Sequence, residues 1–153
     1  ARTKGESAEA PAELDVLARL GHHGDGFPVS GGSAVTLYHD GGPAFAAMLE
    51  AVAAAEHHVH AQFFICRDDA TGRRFIDALC AAAERGVEVR FLVDSVGSWA
   101  FPSRLMRRVR RAGGRAATFH PLSNPLRVNL RNHRKILVAD GRTAFCGGLN
   151  IAD

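Results

Sequence analysis

The sequence predicts an α/β fold, a mixed β-sheet flanked by helices, and three observations carry that expectation. From Val35 onward, apolar residues switch repeatedly between the two-residue period of strands and the 3.6-residue period of helices. Glycines mark two helix ends, at Arg85-Gly86 and Gly113-Gly114. Between two apolar runs, Asp140-Gly141 is a strong β-hairpin signal. A chain of 153 residues with 46% apolar content has enough material to bury the core of one such domain.

Taken in order, residues 1–34 read as a flank, with a short helix over residues 8–20 and a Gly-, Ser- and His-rich linker over residues 21–33. Residues 35–153 form the domain. Residues 35–38 are expected to be a short strand. Asp40-Gly41-Gly42-Pro43 then turns the chain into a helix whose first turn suits Pro43, and on which Phe45, Met48, Leu49 and Val52 recur at helical spacing. Residues 58–65 alternate as a strand, and residues 67–72 make a polar loop. Phe75, Ile76, Leu79 and Ala83 mark one face of a second helix. Residues 87–93 read as a strand with Val87, Val89, Phe91 and Val93 on one face, followed by the loop Asp94-Ser95-Val96-Gly97-Ser98. A basic helix over residues 102–112 leads to a strand near residues 116–119 and a proline- and asparagine-containing loop over residues 120–131. Residues 134–139 and 142–146 are the two arms of the hairpin.

Charge is distributed unevenly along these elements. Residues 1–100 carry a net −6, residues 101–135 a net +10 without a single acid, and residues 136–153 a net −1. Such a one-sign block suits a polyanionic partner, whether lipid headgroups, nucleic acid or phosphate esters, although a solvated helix face would look the same. All but two of the cations are arginine. The exceptions are Lys4 and Lys135. Cys66, Cys80 and Cys146 lack metal-type spacing and read as small buried side chains in a reducing compartment. No stretch approaches the ~18 apolar residues that a membrane span needs, and the first residues lack a secretory layout.

Chemistry concentrates at the hairpin. On a strand, residues two apart share a face, so His133 and Lys135 are expected side by side. An ammonium can hold the non-bridging oxygens of a phosphate, while an imidazole attacks phosphorus or passes a proton to a leaving oxygen. Asp140 differs in parity from His133 and lies in the turn, where geometry alone makes it a turn-stabilising residue. Gly147-Gly148-Leu149-Asn150 allows close backbone approach to a ligand and brings up an amide side chain.

The spacing His-x-Lys, four residues, Asp, six residues, Gly-Gly-x-Asn resembles the signature of the phospholipase D superfamily. His133, Lys135, Asp140, Gly147, Gly148 and Asn150 match it at all six positions. Residues 35–153 further resemble the first catalytic lobe of bacterial cardiolipin synthases. The matching stretches are Ala47-Met48-Leu49-Glu50-Ala51-Val52, residues 83–90, Asp94-Ser95-Val96-Gly97-Ser98 and residues 130–138. In the strand over residues 58–65, Gln62 and Phe64 stand where relatives often carry an acidic residue and a tyrosine. The resemblance implies one lobe of a pseudo-two-fold pair, with His133, Lys135 and Asp140 catalytic and Asn150, Gly147 and Gly148 at the substrate phosphate. It also implies transfer between two phosphatidylglycerols through a phosphohistidine, without metal or other cofactor, at the cytoplasmic face of the cell membrane. The partners would be an anionic phospholipid, the membrane surface and a second motif-bearing lobe. None of the other seven histidines has Lys two residues on, so the chain is expected to be the N-terminal part of a longer enzyme and inactive alone.

Two other readings compete. One is a phospholipase D or a nuclease-type phosphodiesterase, the latter acting as a single-motif homodimer that grips nucleic acid with the basic block. The other is a non-catalytic module whose helix with Arg104, Arg107 and Arg111 lies on anionic lipid, Leu105, Met106 and Val109 forming its opposite face. His58 and His60 share a strand face, but no carboxylate or cysteine joins them at useful spacing, so they read as histidines at the start of a strand. Asp94, at a strand's C-terminal end, either supports the site or caps its own loop. Trp99 and Phe101 belong either to the core or to a contact with lipid tails.

Overall fold

The computed structural model describes residues 12–25, 31–101, 103–119 and 131–153, and the chain divides into two compact units, Ala1–Leu37 and Tyr38–Asp153. In the first unit a 3-10 turn, Ala12–Leu14, leads into helix α1, Asp15–Asp25. The helix therefore runs through Gly21 and Gly24, in a stretch expected to be linker. Each glycine costs about 1 kcal/mol in a helix interior, yet extending an existing helix adds a hydrogen bond per residue fixed. Residues 35–38, expected as a strand, pair with no strand among the described residues, and Val35 is 91% exposed. Alternating apolar residues make a strand only where a partner edge receives their backbone groups.

The second unit is built on a five-stranded sheet in the order β3-β2-β1-β4-β5, comprising β1 (His58–Phe63), β2 (Glu88–Asp94), β3 (Arg115–Phe119), β4 (Ile136–Ala139) and β5 (Thr143–Cys146). The first three are mutually parallel, and β4 and β5 join antiparallel, so the sheet is mixed as expected. Helices α2 (Gly41–Ala54), α3 (Ala70–Glu84) and α4 (Ser103–Arg111) complete the α/β arrangement. The register explains why one sheet face is apolar. Val59, Ala61 and Phe63 of β1 align with Val89, Phe91 and Val93 of β2, and Ala139 and Leu137 of β4 continue the same rows. All of these are buried.

Helix α3 seals that face. Its Phe75 ring packs edge-on against Phe63 and Phe91, at 5.4 and 6.0 Å between centroids, and against Phe45 of α2 at 6.5 Å. The helix starts where Asp69 accepts from Gly72 N (2.8 Å) and stops at Arg85, with Gly86 in the left-handed region at φ 91°. Gly72 is obligatory, because a Cβ there would stand 1.8 Å from the Arg67 carbonyl oxygen. The Arg85 guanidinium donates to the Val52, Ala53 and Ala55 carbonyls, satisfying the open C-terminal end of α2. The opposite sheet face carries His60, Gln62, Arg90, Leu92, Ile136 and Val138 around a shallow depression of about 450 Å³.

The hairpin forms as its sequence dictates. Asp140 and Gly141 both have positive φ, 53° and 66°, and Arg142 N donates to Ala139 O at 3.0 Å, the geometry a tight turn between twisted antiparallel strands requires. Cys66 and Cys80 are buried as expected, whereas Cys146, on the edge strand β5, is exposed. Among the described residues no helix is long and apolar enough to cross a membrane. The expected loop over residues 120–131 lies, except for Arg131, outside the described residues.

Candidate active site

The site lies past the C-terminal end of β1, where Phe64 and Ile65 leave the sheet. Residues 131–135 are not part of a strand, since β4 begins only at Ile136. The expectation that strand parity places His133 beside Lys135 is corrected accordingly. They meet by another route: both lie against the Phe64 ring. The His133 imidazole stacks on it with centroids 3.9 Å apart and planes at 22°, and Lys135 Nζ stands 5.4 Å from the same centroid. Lys135 Nζ also donates to the His133 carbonyl at 2.9 Å, which leaves two of its three N–H bonds for an anion. His133 is exposed, so an incoming phosphate can reach both groups from solvent.

The loop after β2 fixes Phe64. Ser98 Oγ donates to the Phe64 carbonyl (3.0 Å) and accepts from Cys66 N (2.9 Å). Gly97 lies so close beneath that a Cβ would come within 2.3 Å of the Phe64 oxygen. The same loop holds the segment bearing His133. Asp94, 1% exposed, accepts from Val96 N and Gly97 N with one oxygen and from Asn132 N (3.2 Å) with the other. Arg131 donates to Ser95 Oγ at 2.9 Å, with its guanidinium 3.6 Å from the Asp94 carboxylate. Burial pushes the Asp94 carboxyl up, but the backbone N–H groups of Asn132, Val96 and Gly97, with Arg131, outweigh it and hold it below the ordinary carboxylate value. Asp94 thus both caps its own loop and ties β2 to the residue preceding His133.

Asn150 arrives from the far side of the hairpin. Its Oδ1 accepts from Ile65 N at 3.0 Å, leaving the amide NH₂ as a donor pair. Ile151, fully buried, locks this register by bonding Ile65 O and Arg67 N through its backbone. Asp153 accepts from Ala70 N and Thr71 N at the start of α3, and both backbone bonds lower its carboxyl after the larger effect of the Thr71 hydroxyl. Gly147 and Gly148 are exposed, and a Cβ on either would meet no atom within 4 Å.

Asp140 is elsewhere. Its carboxylate accepts from Glu56 N (2.9 Å), His57 N (2.8 Å) and His58 N (2.8 Å), at the start of β1. Those bonds, the one from Glu56 first, lower the carboxyl to about 2. The span from His57 to Phe64 at ~3.3 Å per residue is roughly 20 Å, so Asp140 and His133 sit at opposite ends of one strand. The Asp140 carboxylate bonds the backbone at the start of β1, while His133 and Lys135 meet at the Phe64 ring. Sequence reasoning in turn passed over Phe64, Gly97 and Ser98. The one signal for Phe64 was its standing where relatives often show tyrosine.

Among the described residues no group of three His, Cys, Asp or Glu side chains could hold a metal ion. The His58 and His60 rings lie 4.9 Å apart at the start of β1, away from the site.

The family described as "Cardiolipin synthase, PLD-like domain" matches residues 48–153. A cardiolipin synthase of Alkalihalophilus pseudofirmus is 41% identical over 141 residues, covering 90% of this chain and 28% of that protein. Cardiolipin synthase A of Pseudomonas aeruginosa is 42% identical over 127 residues, 81% of this chain and 26% of that protein. The chain thus spans little more than a quarter of the length of these relatives. Among solved structures, Nuc of Salmonella typhimurium, a phospholipase D family member, superposes with a TM-score of 0.55 at 22% identity, covering 70% of this chain and 64% of Nuc. NucT of Helicobacter pylori gives 0.57 at 16% identity, covering 78% and 74%. At these identities the two structures share the fold.

Proposed function

The chain belongs to the phospholipase D-like family of cardiolipin synthases, and from that premise we propose that it supplies one catalytic half-site of a phosphatidyltransferase that joins two phosphatidylglycerols into cardiolipin. The observation that carries this proposal is the meeting of His133 and Lys135 at one aromatic ring, within a six-position motif that also delivers Asn150. Lys135 holds the non-bridging oxygens as a point charge, and the Asn150 NH₂ with the open backbone at Gly147 and Gly148 receives the remainder of the phosphate. Stacking on Phe64 fixes the imidazole plane so that a ring nitrogen faces phosphorus.

The reaction runs in two displacements. An imidazole nitrogen forms a bond to phosphorus, the bond to the headgroup glycerol oxygen breaks, and glycerol leaves with a proton from the histidine of a second motif-bearing lobe. That histidine next takes the proton from a hydroxyl of a second phosphatidylglycerol. The freed oxygen attacks phosphorus, the phosphorus–nitrogen bond breaks, and cardiolipin is released. His133 fills one of these two histidine roles. Asp140 is a positioning residue, anchoring the start of β1 so that its other end presents Phe64. The reaction belongs at the cytoplasmic face of the cell membrane, where an anionic phospholipid is both donor and acceptor.

The full-length protein, given phosphatidylglycerol vesicles and, separately, a DNA substrate, should form cardiolipin and glycerol and leave the DNA intact. Cleaved DNA with untouched lipid would transfer the site to the nuclease-type phosphodiesterases. Released phosphatidic acid in place of cardiolipin would make the acceptor water and the enzyme a phospholipase D.

A further inference from the structure

The strongest feature unused by the reaction is the surface just beyond the site, on the turn after β2 and the outer side of α4. Helix α4 is amphipathic, but its apolar face is already occupied: Leu105, Met106 and Val109 are buried against the domain. Its five arginines all face outward. Arg104 pairs with Asp68, Arg108 donates to Asp77 at 2.6 Å, and Arg110 caps the Ala116 carbonyl at 2.7 Å. Arg107 and Arg111, one turn apart, have no acidic partner among the described residues. With Arg73, Arg104 and Arg108 they line a cleft of about 540 Å³, where Arg73 and Arg104 share the Asp68 carboxylate and Arg108 holds Asp77, so that Arg107 and Arg111 carry the surplus charge. That charge calls for an anion from outside the chain.

Beside this cationic face stands an apolar one. Trp99 is 80% exposed, and Val96 in the same turn is also exposed. A large indole in water is a poor choice unless it meets an apolar or interfacial partner. Nor is the turn loose. Ser98 N donates to Asp94 O at 3.0 Å and Phe101 N to Ser98 O at 2.9 Å, while the Phe101 ring packs on the core ring of Phe91. Gly97 and Ser98 of this turn contact the Phe64 carbonyl, so the turn that bears Trp99 is tied to the segment carrying the ring under His133 and Lys135.

We propose that the turn at residues 96–101 and the outer face of α4 form a docking surface for an anionic lipid bilayer. Trp99 seats at the level of the headgroups, and Arg107 and Arg111 lie on their phosphates. A bilayer is favoured over nucleic acid because a single tryptophan beside a valine offers an interfacial anchor, whereas strand binding relies on successive aromatic platforms for successive bases. The proposal rests on the reading of the site as one that acts on lipid, and names the surface that brings the site to it.

Trp99 is the only tryptophan of the chain, so it reports directly on its own environment. Vesicles of mixed phosphatidylglycerol and phosphatidylcholine should shift its emission to the blue, and vesicles of phosphatidylcholine alone should not. Removing Arg107 and Arg111 together as Arg107→Gln and Arg111→Gln should weaken vesicle binding by roughly fivefold per arginine, with circular dichroism unchanged. Vesicle binding with unshifted Trp99 emission, binding undiminished in the double variant, or an emission change with single-stranded DNA and none with vesicles would each overturn the proposal. Turnover separates this proposal from the catalytic one. In the full-length protein the double variant should lose activity on vesicles yet retain it on monomeric short-chain phosphatidylglycerol. A wild-type protein inactive on both would sink the catalytic reading, while Trp99 emission would still decide the docking surface.

Discussion

Two residues, Phe64 and Asp140, carry the tightest consequences of the geometry. The Phe64 ring is a shared platform for His133 and Lys135, and an aromatic stack of this kind is worth about 1 kcal/mol. Phe64→Ala should therefore lower kcat on phosphatidylglycerol by roughly five- to tenfold, since it frees the imidazole to rotate. Phe64→Tyr should keep most of the rate, and steady-state kinetics of the two variants checks both expectations. Asp140 acts on folding instead. Its carboxyl is lowered to about 2 by three backbone N–H bonds, against about 3.9 in an unfolded chain. The stability it confers is full above about pH 4 and is lost as pH falls through the folded value. Asp140→Asn, which offers one oxygen in place of two, should melt at a lower temperature at neutral pH. Its melting temperature should also drop less than that of the wild type between about pH 4 and pH 2, as thermal scans across that window would show. The sequence made Asp140 and Gly141 legible, because a turn is a local matter of backbone conformation. It could not show that the carboxylate would reach Glu56, His57 and His58, more than eighty residues back.

At the scale of elements, the site depends on three segments being pinned to one another: residues 64–66, the loop after β2, and residues 131–135. Gly97 is the narrowest point of that junction. A methyl group there collides with the Phe64 carbonyl, a backbone atom that cannot swing aside, so Gly97→Ala should displace the aromatic platform. The expected result is activity reduced beyond what the loss in melting temperature explains, measured by turnover well below the melting point. Leu137, fully buried on β4, tests the opposite case. Leu137→Ala should cost about 2–5 kcal/mol in urea unfolding. The helices and strands with strong periodicity, α3 and β2 above all, were readable because their apolar residues sit on one face. Residues 35–38 and the helical Gly21 depart from their local pattern, because a strand needs a partner edge and an existing helix can extend through a glycine. The strand expected over residues 134–139 begins late, and the functional pair falls in the irregular stretch just before it. There, side-chain contact with Phe64 replaces strand parity in bringing His133 and Lys135 together.

For the molecule as a whole, the arrangement separates support from chemistry. Helices α2 to α4 pack one face of the sheet, Asp140 and Arg85 tie down the ends remote from the site, and the C-terminal end of β1 is left to present Phe64. The six motif residues fall into two places on this frame, with His133, Lys135 and Asn150 around Phe64 and Ile65, Gly147 and Gly148 open nearby in the chain, and Asp140 a strand length away. Family membership was legible in the spacing of those residues, whereas their division between two places on the frame required the fold. The central claim is that His133 performs bond making or proton transfer at a phosphate held by Lys135. It is tested most directly by the turnover of phosphatidylglycerol vesicles in the full-length protein carrying His133→Ala, with folding verified by an unchanged melting temperature. Cardiolipin formation should fall about 10²- to 10⁴-fold, the range that a positioned acid–base group supplies. Cardiolipin formed at near wild-type rate by that variant would contradict it.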